Sequence, residues 1–318
     1  MSGRLLVLRA LGLGDLLTGV PALRGLRRAF PHHRIELAAP APLTPLALYT
    51  GAVDAVVDAA GLGPLPVGVA GADVAVDLHG RGPQSHRRLL ERAPGALIAF
   101  AHPDVPESRN GPAWQADEHE VARWCRLLGE CGIPADPADL RLPWPLGWRE
   151  RDVTVIHPGA ASGARRWPPD RWARVAAAEW RRGRRVVLTG SSAERPLCTA
   201  IARAACLPEE AIGAGETGLD ELLRLVASAG RVACADTGVA HLATALGTPS
   251  VVLFGPTPPS LWGPPPGSRH VVLWHGTRGD PHADDPDPGL LAISVDEVLD
   301  ALARLDGVSP ELAAPEGV

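Results

Sequence analysis

Short apolar runs alternate with helical patterns along the whole chain. Residues 4–9 (Arg-Leu-Leu-Val-Leu-Arg) read as a strand, after which Leu16, Val20 and Leu23, at i, i+4 and i+7, mark a helix that runs to Phe30, where Pro31 stops it. Further strands are predicted at 35–39, 53–58, 74–78 and 97–100. A second series follows at 153–157, 185–189, 232–235, 250–254 and 271–274, separated by helices near 171–182, 219–229 and 239–246. Such alternation predicts βαβ units, hence an α/β fold of doubly wound, largely parallel sheets covered by helices on both faces.

Between the two series, residues 140–151 contain two prolines and a glycine that interrupt any periodicity, and read as a linker. The expected organisation is a domain at 1–148, a second at 149–308 and a flexible tail at 309–318. Two α/β halves flanking a hinge put the default ligand site in a cleft between them, since domain interfaces and the carboxyl ends of parallel strands favour binding. Residues 275–289 read as a polar loop rich in Pro and Gly.

Composition narrows the class. The 318 residues are 46% hydrophobic and 21% charged, as in a folded protein rather than a disordered one. No apolar run approaches the roughly 18–20 residues of a membrane span, and the chain enters its first strand without a cationic, apolar leader, so a cytoplasmic location is expected. A net charge of −5 argues against non-specific nucleic-acid binding. The five cysteines form no CxxC pair, so buried free thiols are expected in place of a disulfide framework or a zinc site.

Several strand-to-helix turns carry residues suited to chemistry. Leu11-Gly12-Leu13-Gly14-Asp15 joins the first strand to the first helix; its glycines let backbone N–H groups approach a ligand, and Asp15 reads either as a helix cap or as an acid at the mouth of the cleft. Leu17 occupies the third glycine position of the dinucleotide fingerprint, which disfavours a nicotinamide enzyme. In 236–241 (Asp-Thr-Gly-Val-Ala-His), Thr237 and Gly238 open a helix whose free N–H groups and dipole favour an anion such as pyrophosphate. The turn at 157–167 ends in Arg165 and Arg166, either bidentate phosphate ligands or solvated arginines. Glu194 reads as a partner for ribose hydroxyls or as the start of a helix.

Other positions are weaker. Asp77, His79, Arg81, Gln84 and Ser85 follow a strand of the first half; His79, Arg81 and Gln84 are acceptor-side candidates, with a surface loop as the competing reading. Asp284, Asp285 and Asp287 resemble the paired acids of metal-dependent transferases, yet they sit in a Pro-rich loop and no metal is expected there. Arg24, Arg27, Arg28, His32, His33 and Arg34 read as a solvated face before they read as an anionic-acceptor or membrane contact, which limits any membrane association to a peripheral one.

Taken in order, these segments resemble glycosyltransferase family 9, the heptosyltransferases, over nearly the whole chain. Gly14-Asp15, Pro21 and residues 23–31 are similar to that family's opening strand, catalytic loop and first helix. His157-Pro158-Gly159 with residues 165–168 and Trp172 resemble its phosphate loop, and residues 236–238, 241–243, 254–257 and 262–264 its nucleotide-sugar segment. The resemblance implies a GT-B-type fold, two Rossmann-like domains facing a central cleft, and inverting, metal-independent transfer without a cofactor. The donor would be a nucleotide-diphosphate sugar, typically ADP-heptose, and the acceptor a saccharide or natural-product hydroxyl. By the same resemblance Asp15 is the general base, and Gly14, Arg165, Glu194, Asp236, Thr237, Gly238 and His241 contact the donor and its phosphates. Arg165 stands where the family commonly has lysine, which keeps the charge and changes the shape. A nucleotide-sugar epimerase or hydrolase, and a non-catalytic nucleotide-sugar binding protein, are the competing functions.

Overall fold

The computed structural model describes residues 3–143, 150–267, 269–276 and 278–306. Half of the expected linker at 140–151, residues 144–149, lies outside the described residues, and the tail at 309–318 entirely so. The chain divides after Leu140 into two compact units, Met1–Leu140 and Arg141–Val318.

The first unit runs β1 (Arg4–Leu8), α1 (Leu13–Ala29), β2 (Arg34–Ala39), α2 (Thr44–Tyr49), β3 (Ala55–Asp58), β4 (Val74–Asp77), α3 (Gln84–Leu90), β5 (Ala96–Ile98) and α4 (Glu120–Glu130). All strand pairs are parallel, in the order β3-β2-β1-β4-β5. A parallel sheet is covered on both faces, which is why Leu5, Leu6, Val7 and Leu8 form an unbroken apolar run and are all buried. Leu6 and Leu8 join Ala38, Ala75 and Leu89 in one layer. Leu5 and Val7, out of phase by one residue, face the other.

The second unit continues with β6 (Glu150–His157), α5 (Pro169–Arg181), β7 (Arg185–Leu188), α6 (Arg195–Ala204), α7 (Leu219–Ser228), β8 (Ala229–Ala235), α8 (Gly238–Leu246), β9 (Ser250–Leu253), α9 (Pro259–Trp262), β10 (His270–Leu273), α10 (Pro288–Ala292) and α11 (Val295–Arg304). Its sheet is also parallel, in the order β10-β9-β8-β6-β7. The core beneath it is anchored by Trp167 and Trp172, edge to face at 4.9 Å, with the Trp167 indole donating to the Ile293 carbonyl at 3.1 Å.

Ten strands were expected, and among the described residues ten form. The expected doubly wound α/β architecture is present in both units. Helices α2, α3, α4, α6, α9, α10 and α11 were not among the predicted ones: four of them are seven residues long or shorter, and α4 mixes four charged residues into eleven. Among the described residues, no helix is long and apolar enough to cross a membrane.

In each sheet the order reverses at one point, where successive connections leave in opposite directions and open a crevice at the carboxyl ends of the strands. That point lies between β1 and β4 in the first unit, and between β6 and β8 in the second.

Candidate active site

In the first unit the crevice is framed by the turns after β1 and β4. Gly12 begins α1 in an extended conformation, and Asp15, in the first turn, reaches back to accept its N–H through Oδ2 at 3.2 Å. Asp15 is therefore both a helix cap and a partly exposed acid, its side chain 27% accessible. Its second oxygen, Oδ1, lies 3.9 Å from the guanidinium of Arg9, the buried residue that follows β1. Burial pushes the Asp15 carboxyl above its ordinary value; Arg9 and the Gly12 N–H oppose this, while Glu120 adds to it. The carbonyl of Gly14 accepts the Thr18 hydroxyl at 3.0 Å, which ties the glycine turn to the helix.

At the end of β4, Asp77 is wholly buried and accepts the N–H groups of His79 (2.8 Å) and Gly80 (3.4 Å) through Oδ1. Burial raises its carboxyl to about 6 against these bonds and one from Ser85. Burial, then the charge of Arg9, lowers His79 to about 4, so its imidazole is neutral at physiological pH. Arg81 and Gln84 are exposed, the latter opening α3. Of the three acceptor-side candidates, only His79 is packed into the turn at the sheet's reversal point.

In the second unit, three turns meet at the reversal between β6 and β8. Arg165, in a 3-10 turn at Gly163–Arg165, donates from Nη1 to the Asp236 carbonyl at 3.3 Å and from Nε to the Ser162 hydroxyl at 3.3 Å. Asp236, buried, follows β8, and Thr237 holds the N-cap position of α8 in an extended conformation, its hydroxyl oxygen buried beside the Cys234 thiol. Gly238 is the first residue of that nine-residue helix, and His241, one turn later, packs edge-on against Trp262 at 5.7 Å. A guanidinium, a buried hydroxyl and a helix N-terminus at one point form a setting for a phosphate group.

Glu194 enters from the turn after β7. Its Oε2 accepts the N–H and hydroxyl of Ser191 at 2.8 and 2.9 Å, so it caps the 3-10 turn that leads into α6. It also lies against Gly159 of the neighbouring turn: a Cβ there would fall 1.9 Å from Glu194 Oε1. His157, ending β6, bonds the Thr189 hydroxyl at 3.1 Å, and burial holds its ring below the usual histidine range.

Other candidates have structural partners. Asp287 caps α10, accepting from Gly289 and Leu290, and among the described residues no three His, Cys, Asp or Glu side chains are grouped to hold a metal. Arg24 and Arg28 both pair with Asp139 at 2.6 and 2.7 Å, and Arg27 with Asp54 at 2.5 Å. Of the cysteines, Cys125, Cys198 and Cys234 are buried, but Cys206 is exposed at the end of α6 and Cys131 half-buried. Sequence reasoning missed Arg9 and Glu120. A charged residue closing an apolar strand was a visible signal for the first; nothing local marks the second as its partner 111 residues away.

Solved structures share this architecture over almost the entire chain. The glycosyl transferase family 9 protein from Veillonella parvula superposes with a TM-score of 0.77 at 20% identity, covering 96% of this chain and 98% of the other. The Escherichia coli ADP-heptose LPS heptosyltransferase II superposes with a TM-score of 0.72 at 24% identity, covering 95% and 98%. The fold is thus of the GT-B-like class, with two Rossmann-like domains. In sequence, the lipopolysaccharide heptosyltransferase 2 of E. coli K12 is 25% identical over 350 aligned positions, 95% of this chain and 98% of the relative. The family model of glycosyltransferase family 9 (heptosyltransferase) matches residues 97–288. The chain belongs to that family and is a glycosyltransferase.

Proposed function

We propose that the protein transfers heptose from ADP-heptose to a saccharide hydroxyl, with inversion at the anomeric carbon and Asp15 as general base. The observation that carries this reading is the anion setting at the second reversal point, where Arg165 reaches the Asp236 carbonyl and the Thr237 hydroxyl is buried at the N-terminus of α8. A sugar diphosphate supplies the acceptor oxygens that such a hydroxyl and guanidinium need. The E. coli relative named above is an ADP-heptose enzyme acting on lipopolysaccharide, which favours the same donor and a lipopolysaccharide-core type of acceptor here.

In this scheme Asp15 takes the proton of the acceptor hydroxyl as its oxygen bonds to the anomeric carbon. The bond from that carbon to the diphosphate breaks on the opposite face, and ADP departs. Its charge falls on Arg165 and the amides of Thr237 and Gly238, fixed positive electrostatics that do the work otherwise given to a metal ion. Glu194, beside Gly159, is the candidate for the ribose hydroxyls, and His79, in the turn after β4, the candidate for the acceptor. The helix-start N–H at Gly12 weakens Asp15 as a base, whereas burial strengthens it, and burial is the larger effect. Asp15 works as the carboxylate, so kcat/KM rises with pH through its raised value.

The test is Asp15→Asn with ADP-heptose and a core saccharide. Turnover falls on the order of 10²–10⁴-fold while ADP-heptose binding persists, the wild-type product carries the opposite anomeric configuration by NMR, and EDTA leaves the rate unchanged. Full activity of the variant, or donor consumption at the same rate without acceptor, overturns the proposal. Loss of activity in EDTA that a divalent cation restores overturns its metal-independent part.

A further inference from the structure

We infer that a buried Arg9–Glu120 brace positions the Asp15 carboxylate for its reaction; the inference rests on Asp15 as the base. Arg9 is 1% exposed, and its guanidinium ties together α1, α4 and the turn after β4. Nε donates to the Asp15 carbonyl in α1, and Nη1 to the Leu78 carbonyl after β4. Nη2 donates to the Thr18 hydroxyl at 2.9 Å and to Glu120 Oε1, at the start of α4, at 3.1 Å. The Trp124 ring lies 5.0 Å from the guanidinium carbon. Gly19 makes room for the stem, since a Cβ there would come within 2.9 Å of it.

Glu120 is itself fixed, by the Trp124 indole N–H at 2.8 Å and by Arg123. Desolvating two charges costs about as much as their attraction returns, so a buried pair of this kind is a poor way to gain stability. Its geometry suits another purpose. Arg9 grips the backbone of Asp15 but stays 3.9 Å from the carboxylate, close enough to orient it and too far to capture it in a hydrogen bond. Glu120 offsets the pull of that cation. The two charges thus leave the carboxylate available while fixing its backbone, and Arg9's bond to the Leu78 carbonyl carries the same brace to the turn that holds His79.

The groups facing Asp15 are Arg9 just after β1, Glu120 with Arg123 behind it from α4, and the Gly12 N–H. Asp77 and His79 at the end of β4 lie in the same Arg9 field, and His86 from α3 stands 3.4 Å from Asp77. Each arm of the brace therefore has a predictable sign. Removing the Glu120 charge leaves Arg9 unopposed and moves the Asp15 titration to lower pH; removing the Arg9 charge moves it to higher pH.

The experiment titrates Asp15 by carboxyl ¹³C NMR in protein labelled at aspartate, the signal assigned with Asp15→Asn, and records pH–rate profiles beside it. In Glu120→Gln the Asp15 midpoint and the acid limb of kcat/KM both shift to lower pH. In Arg9→Met both shift to higher pH, and kcat falls by up to about 100-fold with KM for the donor unchanged, because the donor is bound by the other unit. If Arg9→Met does not fold, the near-isosteric Glu120→Gln decides alone. A wild-type Asp15 midpoint and acid limb in the folded variants, with only thermal stability altered, overturns the brace. An active Asp15→Asn is a different result from a different variant, and refutes the base role beneath it.

Discussion

Gly163 gives the sharpest test of how the Arg165 turn is held. Its backbone is not left-handed, so alanine carries no conformational penalty there; the obstacle is steric. A Cβ would sit 1.5 Å from the Asp284 carbonyl oxygen and 2.3 Å from its carbon, both backbone atoms that no rotamer change can move aside. The turn and the 281–287 loop must separate. Three hydrogen bonds cross that seam: Ala164 N–H to the Ala283 carbonyl (2.9 Å), Asp287 N–H to the Ala164 carbonyl (3.2 Å) and the Ser162 hydroxyl to the Pro281 carbonyl (2.6 Å). At about 1 kcal/mol each, less about 0.7 kcal/mol for the lower chain entropy of alanine in the unfolded state, Gly163→Ala costs roughly 2 kcal/mol. For a unit of this size that is a fall of about 4–8 °C in its Tm. Because Ser162 also holds the Arg165 guanidinium, donor affinity falls on the order of tenfold as well, measured by calorimetry with ADP. Arg165→Met is the control, losing affinity without the fall in Tm. A variant with unchanged Tm and unchanged affinity would refute the reasoning, since two backbone segments cannot occupy that space undisturbed.

Two further outcomes follow from the second unit. Ser294 caps α11 by accepting the Glu297 N–H at 3.2 Å while Glu297 returns to the Ser294 N–H at 2.8 Å; Ser294→Ala costs about 1 kcal/mol by chemical denaturation, and no change would show that the box contributes nothing there. Burial, then Arg141 and Arg269, depresses His270 to about 4. Since the unfolded chain binds this proton more readily, the contribution is complete above about 6.5 and lost as pH falls through about 4. Stability curves of His270→Asn and wild type should therefore converge over that interval, and parallel curves would exclude the assignment.

Much of the molecule was legible before its coordinates. Apolar runs of four or five residues, each ended by a glycine-bearing or polar turn, marked every strand, because a sheet covered on both faces demands continuous apolar segments. Asp15, Arg165, Glu194 and Asp236 were singled out as candidates for the related reason that ligands bind at the turns after such strands. The acidic triplet 284–287 shows the opposite case: the side chains look like ligands in one dimension, whereas Asp287 is spent on capping a helix.

Local patterning along the chain determined the α/β class, the strands and the strand-to-helix turns that hold the candidate residues, since these depend on periodicity and glycine placement within a few residues. Tertiary structure alone decided which turns are neighbours. Strand order sets the turn after β1, which holds Asp15, next to the turn after β4, and folding seats Arg165 against the Asp236 carbonyl and brings Glu120 to Arg9 across 111 residues. The physical reason is that burial and Coulomb energy depend on distance in space: Arg9 and Gly12 are close to Asp15 in sequence, but its burial and the opposing charge of Glu120 come only with folding.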